Sequence, residues 1–362
     1  MNATAATPTF IGSDKLMLGL CLAFVVLAGF AEYGGWNAVV AFVVSAGAVC
    51  LLASLVGRSV EQLGDLFGPG ATGVLQSGLG NLPELFICIF ALKAGLVDVV
   101  RAALVGSILA NLLLVLGLAF VVGGLRHGTQ QLGSERARTI VVLMLLSVSA
   151  MAIPSFTHWL HTPADQHEDT FSVIVSVLLL ALFALSLPFS LRRDHTDGDA
   201  PHEKPRWSLP LAIGLLAVAS VGAAFVSDWF VNALQPAMDS LSINETFAGL
   251  VVVAIAGNAV ENVVGVQLAA KNQSPYAFSV ILNSPVQIAL VLAPALVLIS
   301  QIFGLASLTL VFSPLLVVVL MLAVMLGAFI AFDGESTWLE GASLIVLYAI
   351  IATSFWVMIC ML

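Results

Sequence analysis

The chain has 362 residues, of which 60% are hydrophobic and 9% are charged, and its formal net charge is -9. A soluble domain carries about 25% charged residues, so this composition excludes a mostly soluble protein and is typical of a chain that crosses a membrane many times. No basic stripe or aromatic-interleaved patch accompanies the acidic balance, so nucleic acid is not an expected partner.

Long apolar runs, separated by charged or turn-rich breaks, predict eleven transmembrane helices, because about 20 apolar residues cross a bilayer as a helix. In chain order the predicted spans are 15–31, 36–57, 71–93, 97–122, 136–155, 169–191, 207–229, 244–270, 276–303, 308–332 and 338–361. The runs are continuous and do not alternate, which favours helices over a β-barrel. We therefore predict an all-α polytopic membrane protein within the lipid bilayer.

The positive charges predict the orientation, because short cytoplasmic loops carry an excess of Lys and Arg. With the N-terminus in the cytoplasm, the inner side holds Lys15, Arg58, Arg126, Arg136, Arg138, Arg192, Arg193, Lys204, Arg206 and Lys271, and the outer side holds only Lys93 and Arg101. The segment 192–206, RRDHTDGDAPHEKPR, is short, charged and Pro-containing. We interpret it as a cytoplasmic linker between two halves.

Two similar motifs, GNLPE at 80–84 and GNAVE at 257–261, interrupt two of these spans at a fixed offset. Three pairs of residues are each 177 apart, namely Asn81 and Asn258, Glu84 and Glu261, and Ser107 and Ser284. Such self-similarity indicates an internal duplication. Because five spans separate the two glutamates, the second copy is predicted to cross the membrane in the opposite direction, as in the inverted repeats of secondary transporters.

The duplication predicts how the chain is divided. Residues 1–35 form an extra N-terminal helix, 36–191 the first five-helix repeat, 192–206 the linker and 207–362 the second five-helix repeat. In transporters of this kind the binding site lies near the midplane, where the repeats meet.

Oxygen-bearing side chains lie within the two spans that carry the motifs and within the span after each of them. Helical spacing places Ser77, Asn81, Glu84 and Cys88 on one stripe. The next spans add Ser107 and Asn111 in the first half, and Asn283, Ser284 and Gln287 in the second. Ca²⁺ takes six to eight oxygen ligands, and two carboxylates match the charge of one divalent ion. The predicted ligands are Glu84, Glu261, Asn81, Asn258, Ser107, Ser284 and Gln287, with Asn111 and Asn283 on the ion pathway.

Helix packing through small residues is the alternative interpretation of these motifs, and it accounts for Gly80 and Gly257. It does not account for Glu84 and Glu261, because a carboxylate inside the membrane is costly and is by default a functional hypothesis. For the Asn, Ser and Gln side chains, interhelical hydrogen bonding is the alternative. Pro83 and the glycines are expected to kink or break the helix and free backbone carbonyls as further ligands.

The charge of the predicted site indicates what it does. Two ionised glutamates in a medium of low dielectric are unfavourable, and either two protons or one Ca²⁺ would neutralise them. A protein that reorients only when neutralised exchanges calcium for protons and makes no catalytic bond. Hydrolase signatures such as H-E-x-x-H or G-x-S-x-G are absent from the spans, so we predict that the chain is not an enzyme. A passive channel is a further alternative, but broken helices in inverted repeats favour alternating access.

Both motif regions resemble a known family. GPGATGVLQSGLGNLPELFICIFALKAG, followed by LVGSILANLLLVLGLAFVVGGL, is similar to the first conserved repeat of the proton/calcium exchangers of the calcium/cation antiporter superfamily. NETFAGLVVVAIAGNAVENVVGVQLAAKN, followed by SVILNSPVQIALVLAPALVL, is similar to the second. The resemblance covers about 36 to 361. It implies that Glu84 and Glu261 form the cation site and that Glu61 and Asp228 assist cation or proton passage, although both could also be solvated residues at helix ends.

Three departures from the family leave ion selectivity open. Asn262 stands where the family often has His, NSPVQ at 283–287 replaces Gly-Ser-Ser-x-Gln, and the acidic stretch between the halves is reduced to Asp194, Asp197, Asp199 and Glu203. A sodium- or potassium-linked exchanger is therefore the alternative function.

No cofactor is expected besides Ca²⁺ as substrate. We expect a prokaryotic inner membrane protein, with the vacuolar membrane as the alternative. We make no prediction of the oligomeric state.

One further cluster lies between spans five and six. It contains His158, His161, His167, Asp165, Glu168 and Asp169. A solvated loop is the favoured interpretation, and recruitment of cations or pH sensing by histidine is the alternative.

Overall fold

Helices make up almost all of the regular structure, as the long apolar runs predict. The computed structural model describes residues 10–67, 78–193 and 206–357, with side chains described throughout except at 134–137, 188–193 and 260–262. The α-helices are α1 (Gly12–Tyr33), α2 (Ala38–Phe67), α3 (Leu82–Lys93), α4 (Val97–Leu109), α5 (Leu116–His127), α6 (Ser134–Trp159), α7 (Glu168–Arg193), α8 (Leu209–Leu241), α9 (Glu245–Phe247), α10 (Ala254–Gly257), α11 (Ala259–Ala270), α12 (Ser274–Gln287), α13 (Ala293–Ile302), α14 (Pro314–Asp333) and α15 (Trp338–Val357).

Shorter elements connect these helices. Three π-helical segments, π1 (Ala110–Val115), π2 (Ala248–Val253) and π3 (Ile288–Leu292), continue α4, α9 and α12, and a 3₁₀ turn (Pro163–His167) precedes α7. Two short strands, β1 (Gln130–Gln131) and β2 (Glu335–Ser336), pair antiparallel.

Nine helical stretches in the described part of the chain are long and apolar enough to cross a membrane. They correspond to nine of the eleven predicted spans. The remaining two, 71–93 and 244–270, are the spans that carry the motifs. Residues 71–77 lie outside the described ranges, and the chain from 245 to 270 is divided into α9, π2, α10 and α11. The count of eleven therefore stays a prediction.

The second helix extends well past its predicted end at residue 57, to Phe67. The charged residue that suggested this end is Arg58. Its charge is compensated within the protein, because Arg58 donates a hydrogen bond to the fully buried carboxylate of Asp14. Arg206 Nη1 lies 3.8 Å from the other oxygen of Asp14. Gln62 Oε1 also accepts the backbone N–H of Arg206 at 2.9 Å. A charged residue thus stays within the helix when a buried partner compensates it.

The helix bounds repeat along the chain. Three pairs of helices begin 177 residues apart: Leu82 and Ala259, Val97 and Ser274, and Leu116 and Ala293. The helices α3 and α11 are both 12 residues long. The helices α4 and α12 both run directly into a π-helical segment. These equal offsets favour the predicted duplication, while its boundaries stay a prediction.

Close backbone packing joins α4 to π2. A Cβ added to Gly106 would lie 2.6 Å from Leu250 Cα, and a Cβ added to Gly249 would lie 2.8 Å from Ala102 Cβ. Glycine is the residue that allows two helical backbones to approach this closely. The contact places Ser107, the neighbour of Gly106, close to π2, which precedes the second motif in the chain.

Replacement of Gly106 by Ala should destabilise the protein. The added methyl group meets backbone atoms that cannot rotate away, and overpacking of this kind costs roughly 1–3 kcal/mol. We expect a lower melting temperature in detergent, measured by size-exclusion chromatography after heating. Gly214→Ala is the matched control, because a Cβ there meets nothing within 4 Å. Equal melting temperatures for the two variants would contradict the close contact.

Candidate functional site

Both motif segments are interrupted at their Gly-Asn step, as predicted. Gly80 and Asn81 form a turn just before α3. Asn258, with φ -98° and ψ 24°, separates α10 from α11. The expected kink at Pro83 is not found within a helix. Pro83 is instead the second residue of α3, where its missing N–H would have had no intrahelical acceptor.

The two motif glutamates occupy the same helical position. Glu84 is the third residue of α3, and Glu261 is the third residue of α11. The side chain of Glu84 is fully buried, and that of Glu261 lies outside the described side chains. The positive end of a helix dipole stabilises a carboxylate by about 0.3–1 kcal/mol, whereas a charged side chain at the centre of a membrane helix costs roughly 2.5–3.5 kcal/mol. The helix terminus alone therefore does not offset the burial of an ionised Glu84, and a cation or a proton would.

Four of the predicted residues form one hydrogen-bonded cluster at the interruption between α10 and α11. The amide nitrogen Nδ2 of Asn111 lies 2.9 Å from the carbonyl oxygen of Ser107, 3.0 Å from Asn258 Oδ1 and 3.2 Å from Ser284 Oγ. Ser284 Oγ also donates to Asn258 Oδ1 at 3.4 Å. All four residues are buried. The structure thus brings together residues of both predicted repeats.

Hydrogen bonds to their own helices orient the two asparagines. Each donates its amide to the carbonyl four residues earlier, Asn111 to Ser107 and Asn258 to Ala254, both at 2.9 Å. Because the nitrogens are held in this way, the amide oxygens point away from their own helices. Within the described part of the chain, Asn111 Oδ1 is buried and has no hydrogen-bond partner. Hydrogen bonding between helices accounts for Asn258 and Ser284, but it does not account for this oxygen.

The cluster lies beside two of the π-helical segments. Asn111 is the second residue of π1, and Gln287, which is also buried, directly precedes π3. Such segments are frequent at functional sites, because the wider turn shifts the hydrogen-bonding register of the backbone. The sequence gives no signal for them, since a π segment has the same apolar pattern as the helix it interrupts.

The remaining predicted residues lie in different environments. Asn81, Asn283 and Asp228 are partly buried, whereas Glu61 is exposed. Ser77 lies outside the described residues. The exposure of Glu61 fits its interpretation as a solvated residue, although α2 continues six residues beyond it to Phe67.

Chemically, the cluster offers only neutral oxygen atoms to a ligand. Amide, hydroxyl and carbonyl oxygens are ligands for Ca²⁺ and other hard cations, whereas zinc and copper sites favour imidazole or thiolate. The described side chains of the cluster carry no positive charge that would repel a cation. Such an arrangement can replace part of the hydration shell of a metal ion, but its neutral oxygens do not supply the compensating charge.

Comparisons with known proteins find similarity along most of the chain. A family model described as sodium/calcium exchanger protein matches residues 37–192 and 211–357. The Ca(2+)/H(+) antiporter of Synechocystis sp. is 34% identical over 94% of this chain and 97% of its own length. The vacuolar calcium ion transporter of Schizosaccharomyces pombe is 33% identical over 98% of this chain and 88% of its own. The solved structure of native YfkE superposes with a TM-score of 0.82 at 32% identity, covering 94% of this chain and 99% of that chain.

These matches cover both predicted halves. They confirm the predicted all-α membrane fold and the resemblance to the calcium/cation antiporters. The chain belongs to the sodium/calcium exchanger protein family.

Proposed function

We propose that this chain is a secondary antiporter that exchanges cytosolic Ca²⁺ for H⁺ by alternating access. The observation that carries the proposal is a fully buried glutamate, Glu84, at the third position of a short helix, with Glu261 at the same position 177 residues later. The name of the Synechocystis relative, Ca(2+)/H(+) antiporter, supports the same two transported ions. Ca²⁺ and H⁺ are the substrates, and the proposal needs no cofactor.

Charge balance gives the mechanism. We propose that Glu84 and Glu261 bind either one Ca²⁺ or two protons, and that the protein reorients only when both carboxylates are neutralised. Two negative charges close together in a low dielectric disfavour the empty ionised state, which couples the two ions. Competition for the same two carboxylates is therefore sufficient for exchange, and no covalent step is required.

Neutral oxygens complete the proposed site. The amide oxygens of Asn111 and Asn258 and the hydroxyl of Ser284 would replace water molecules around Ca²⁺, which takes six to eight oxygen ligands. Asn81, Ser107 and Gln287 are the other proposed ligands, and Glu61, Asp228 and Asn283 are proposed to assist passage. The assignment of Asn111 moves from the pathway to the site because its Oδ1 is buried and has no hydrogen-bond partner among the described residues.

The arrangement in the membrane is part of the proposal. Residues 36–191 and 207–362 are the proposed inverted repeats, with 1–35 as an extra helix, 192–206 as a cytoplasmic linker and the N-terminus in the cytoplasm. The two separate matches of one family description, at 37–192 and 211–357, support this division. We propose a prokaryotic inner membrane as its location. The vacuolar membrane, which the name of the yeast relative indicates, is the alternative.

A flux measurement tests this function. Liposomes containing the purified protein, acidic inside and diluted into a more alkaline choline medium with radioactive Ca²⁺, should accumulate Ca²⁺ because protons leave down their gradient. A protonophore added beforehand should remove the uptake. The sodium-linked alternative predicts no uptake in this medium and rapid uptake when an outward sodium gradient replaces the proton gradient. Uptake that depends on sodium alone would overturn the proposal.

A further inference from the structure

Three metal-ligand atoms meet at the turn between α6 and α7. His158 is near the end of α6, Asp165 lies in the 3₁₀ turn, and Glu168 begins α7. His158 Nδ1 is 2.8 Å from Asp165 Oδ1 and 2.6 Å from Glu168 Oε1. One nitrogen and two carboxylate oxygens, one from each residue, all lie within 4.8 Å of one another.

One histidine nitrogen faces both carboxylates of this cluster. The nitrogen Nδ1 carries at most one hydrogen, so two carboxylates compete for one donor while they repel each other. His161 Nδ1, 3.4 Å from Asp165 Oδ2, is the other ion-pair partner of these carboxylates in the described ranges. With neutral histidines the cluster has a charge of about minus two, which a divalent cation would neutralise.

The neighbouring backbone is ordered independently of an ion. Thr162 donates its backbone N–H to Thr157 O at 3.1 Å, and Asp165 donates its N–H to Thr162 O at 2.9 Å. The adjacent Asp169 has other partners, since Ser307 Oγ donates to its Oδ1 at 2.6 Å. A fixed turn therefore holds three potential ligands together and directs a fourth carboxylate elsewhere.

We propose that His158, Asp165 and Glu168 bind a divalent transition-metal ion such as Zn²⁺, at a site separate from the transported ion. An imidazole nitrogen with two carboxylate oxygens suits Zn²⁺, Co²⁺ or Mn²⁺, whereas Ca²⁺ and Mg²⁺ take oxygen ligands. Tetrahedral bonds of about 2.0–2.2 Å place neighbouring ligand atoms roughly 3.4 Å apart. The two distances from His158 Nδ1, 2.8 Å and 2.6 Å, would therefore have to open by about 0.6–0.8 Å. The side chain of His158 is 42% exposed, so an ion and its water ligands can enter from solvent.

Calorimetric titration of tag-free protein in detergent with Zn²⁺, in excess Ca²⁺, tests the proposal. The Ca²⁺ occupies the proposed transport site and weak carboxylate sites. We expect one Zn²⁺ per chain and an affinity at least tenfold weaker in His158→Ala and in Glu168→Gln. His167→Ala is the matched control, because this histidine lies in the same turn outside the cluster, and it should bind Zn²⁺ as the unaltered chain does. Co²⁺ absorption spectra should change in His158→Ala if the nitrogen is a ligand.

Three results would overturn the inference. The first is unaltered Zn²⁺ binding in both cluster variants, with monodisperse chromatography showing that they are folded. The second is the absence of Zn²⁺ binding by the unaltered chain. The third is loss of Zn²⁺ binding in Glu84→Gln but not in His158→Ala, which would assign the ion to the transport pathway. Because the readout is binding, failure of this site and failure of the proposed exchange function are distinguishable.

Discussion

Replacement of Glu84 by Gln is expected to abolish the exchange of Ca²⁺ for H⁺ while the protein still folds and inserts into the membrane. Gln has nearly the same size as Glu but carries neither a negative charge nor a titratable proton. The site would lose half of its compensating charge for Ca²⁺ and one of its two proton-binding groups.

The measurement is proton-driven Ca²⁺ uptake into liposomes, with protein amount and orientation matched between samples. We expect a rate at least about a hundredfold lower, near that of protein-free liposomes, which corresponds to about 2.7 kcal/mol. Glu335→Gln is the matched control, because it makes the same chemical change at an exposed residue of β2 and should transport normally. Near-normal uptake by Glu84→Gln would contradict the site assignment.

Glu261→Gln should have the same effect, because Glu261 holds the equivalent position in α11. The two halves are not identical, however. Pro83 precedes Glu84, whereas Val260 precedes Glu261 and Asn262 follows it. A difference between the residual exchange rates of the two variants would show which glutamate contributes more to proton binding.

Much of the fold could be predicted from composition and repetition. A run of about 20 apolar residues has few options besides a membrane helix, and nine such runs are helical in the described ranges. The Gly-Asn interruptions could also be predicted, because a repeated polar break in an apolar segment has no simple packing explanation. Neither result depends on how distant residues pack against each other.

The rest could not be predicted because it depends on residues that are distant in the chain. The end predicted near Arg58 was wrong, because Asp14, 44 residues earlier, neutralises that charge inside the protein. No pattern within the second span could indicate this partner. The neighbours of Asn111 could not be predicted either, since a helical repeat gives the face of a residue but not the helix opposite. Its contacts with Asn258 and Ser284 depend on how α4 and π1 pack, and on a π-helical register that the apolar pattern does not reveal.

Asn258→Ala is the second substitution with a large expected effect, because Asn258 links the interrupted helix to the cluster. Its Oδ1 accepts hydrogen bonds from Asn111 Nδ2 and Ser284 Oγ, and its Nδ2 donates to Ala254 O. Ala would remove these bonds and, as the strongest helix former, would favour a continuous helix through the break. Loss of buried hydrogen bonds costs about 1–3 kcal/mol.

For this variant we expect the apparent KM for Ca²⁺ to rise at least about tenfold, or about 1.4 kcal/mol in binding free energy, because an oxygen ligand and the orientation of Asn111 are lost together. A loss of stability alone could also reduce transport, and Ser300→Ala separates the two causes. Ser300 is a buried residue of α13 whose hydroxyl donates to Val297 O and accepts from Leu308 N–H, so its loss should lower stability but leave KM unchanged. If the two variants have the same KM, Asn258 is a packing residue. If only Asn258→Ala raises it, the neutral amide at the helix break is part of the Ca²⁺ site, and Ca²⁺ affinity then depends on the interrupted helix as well as on the glutamates.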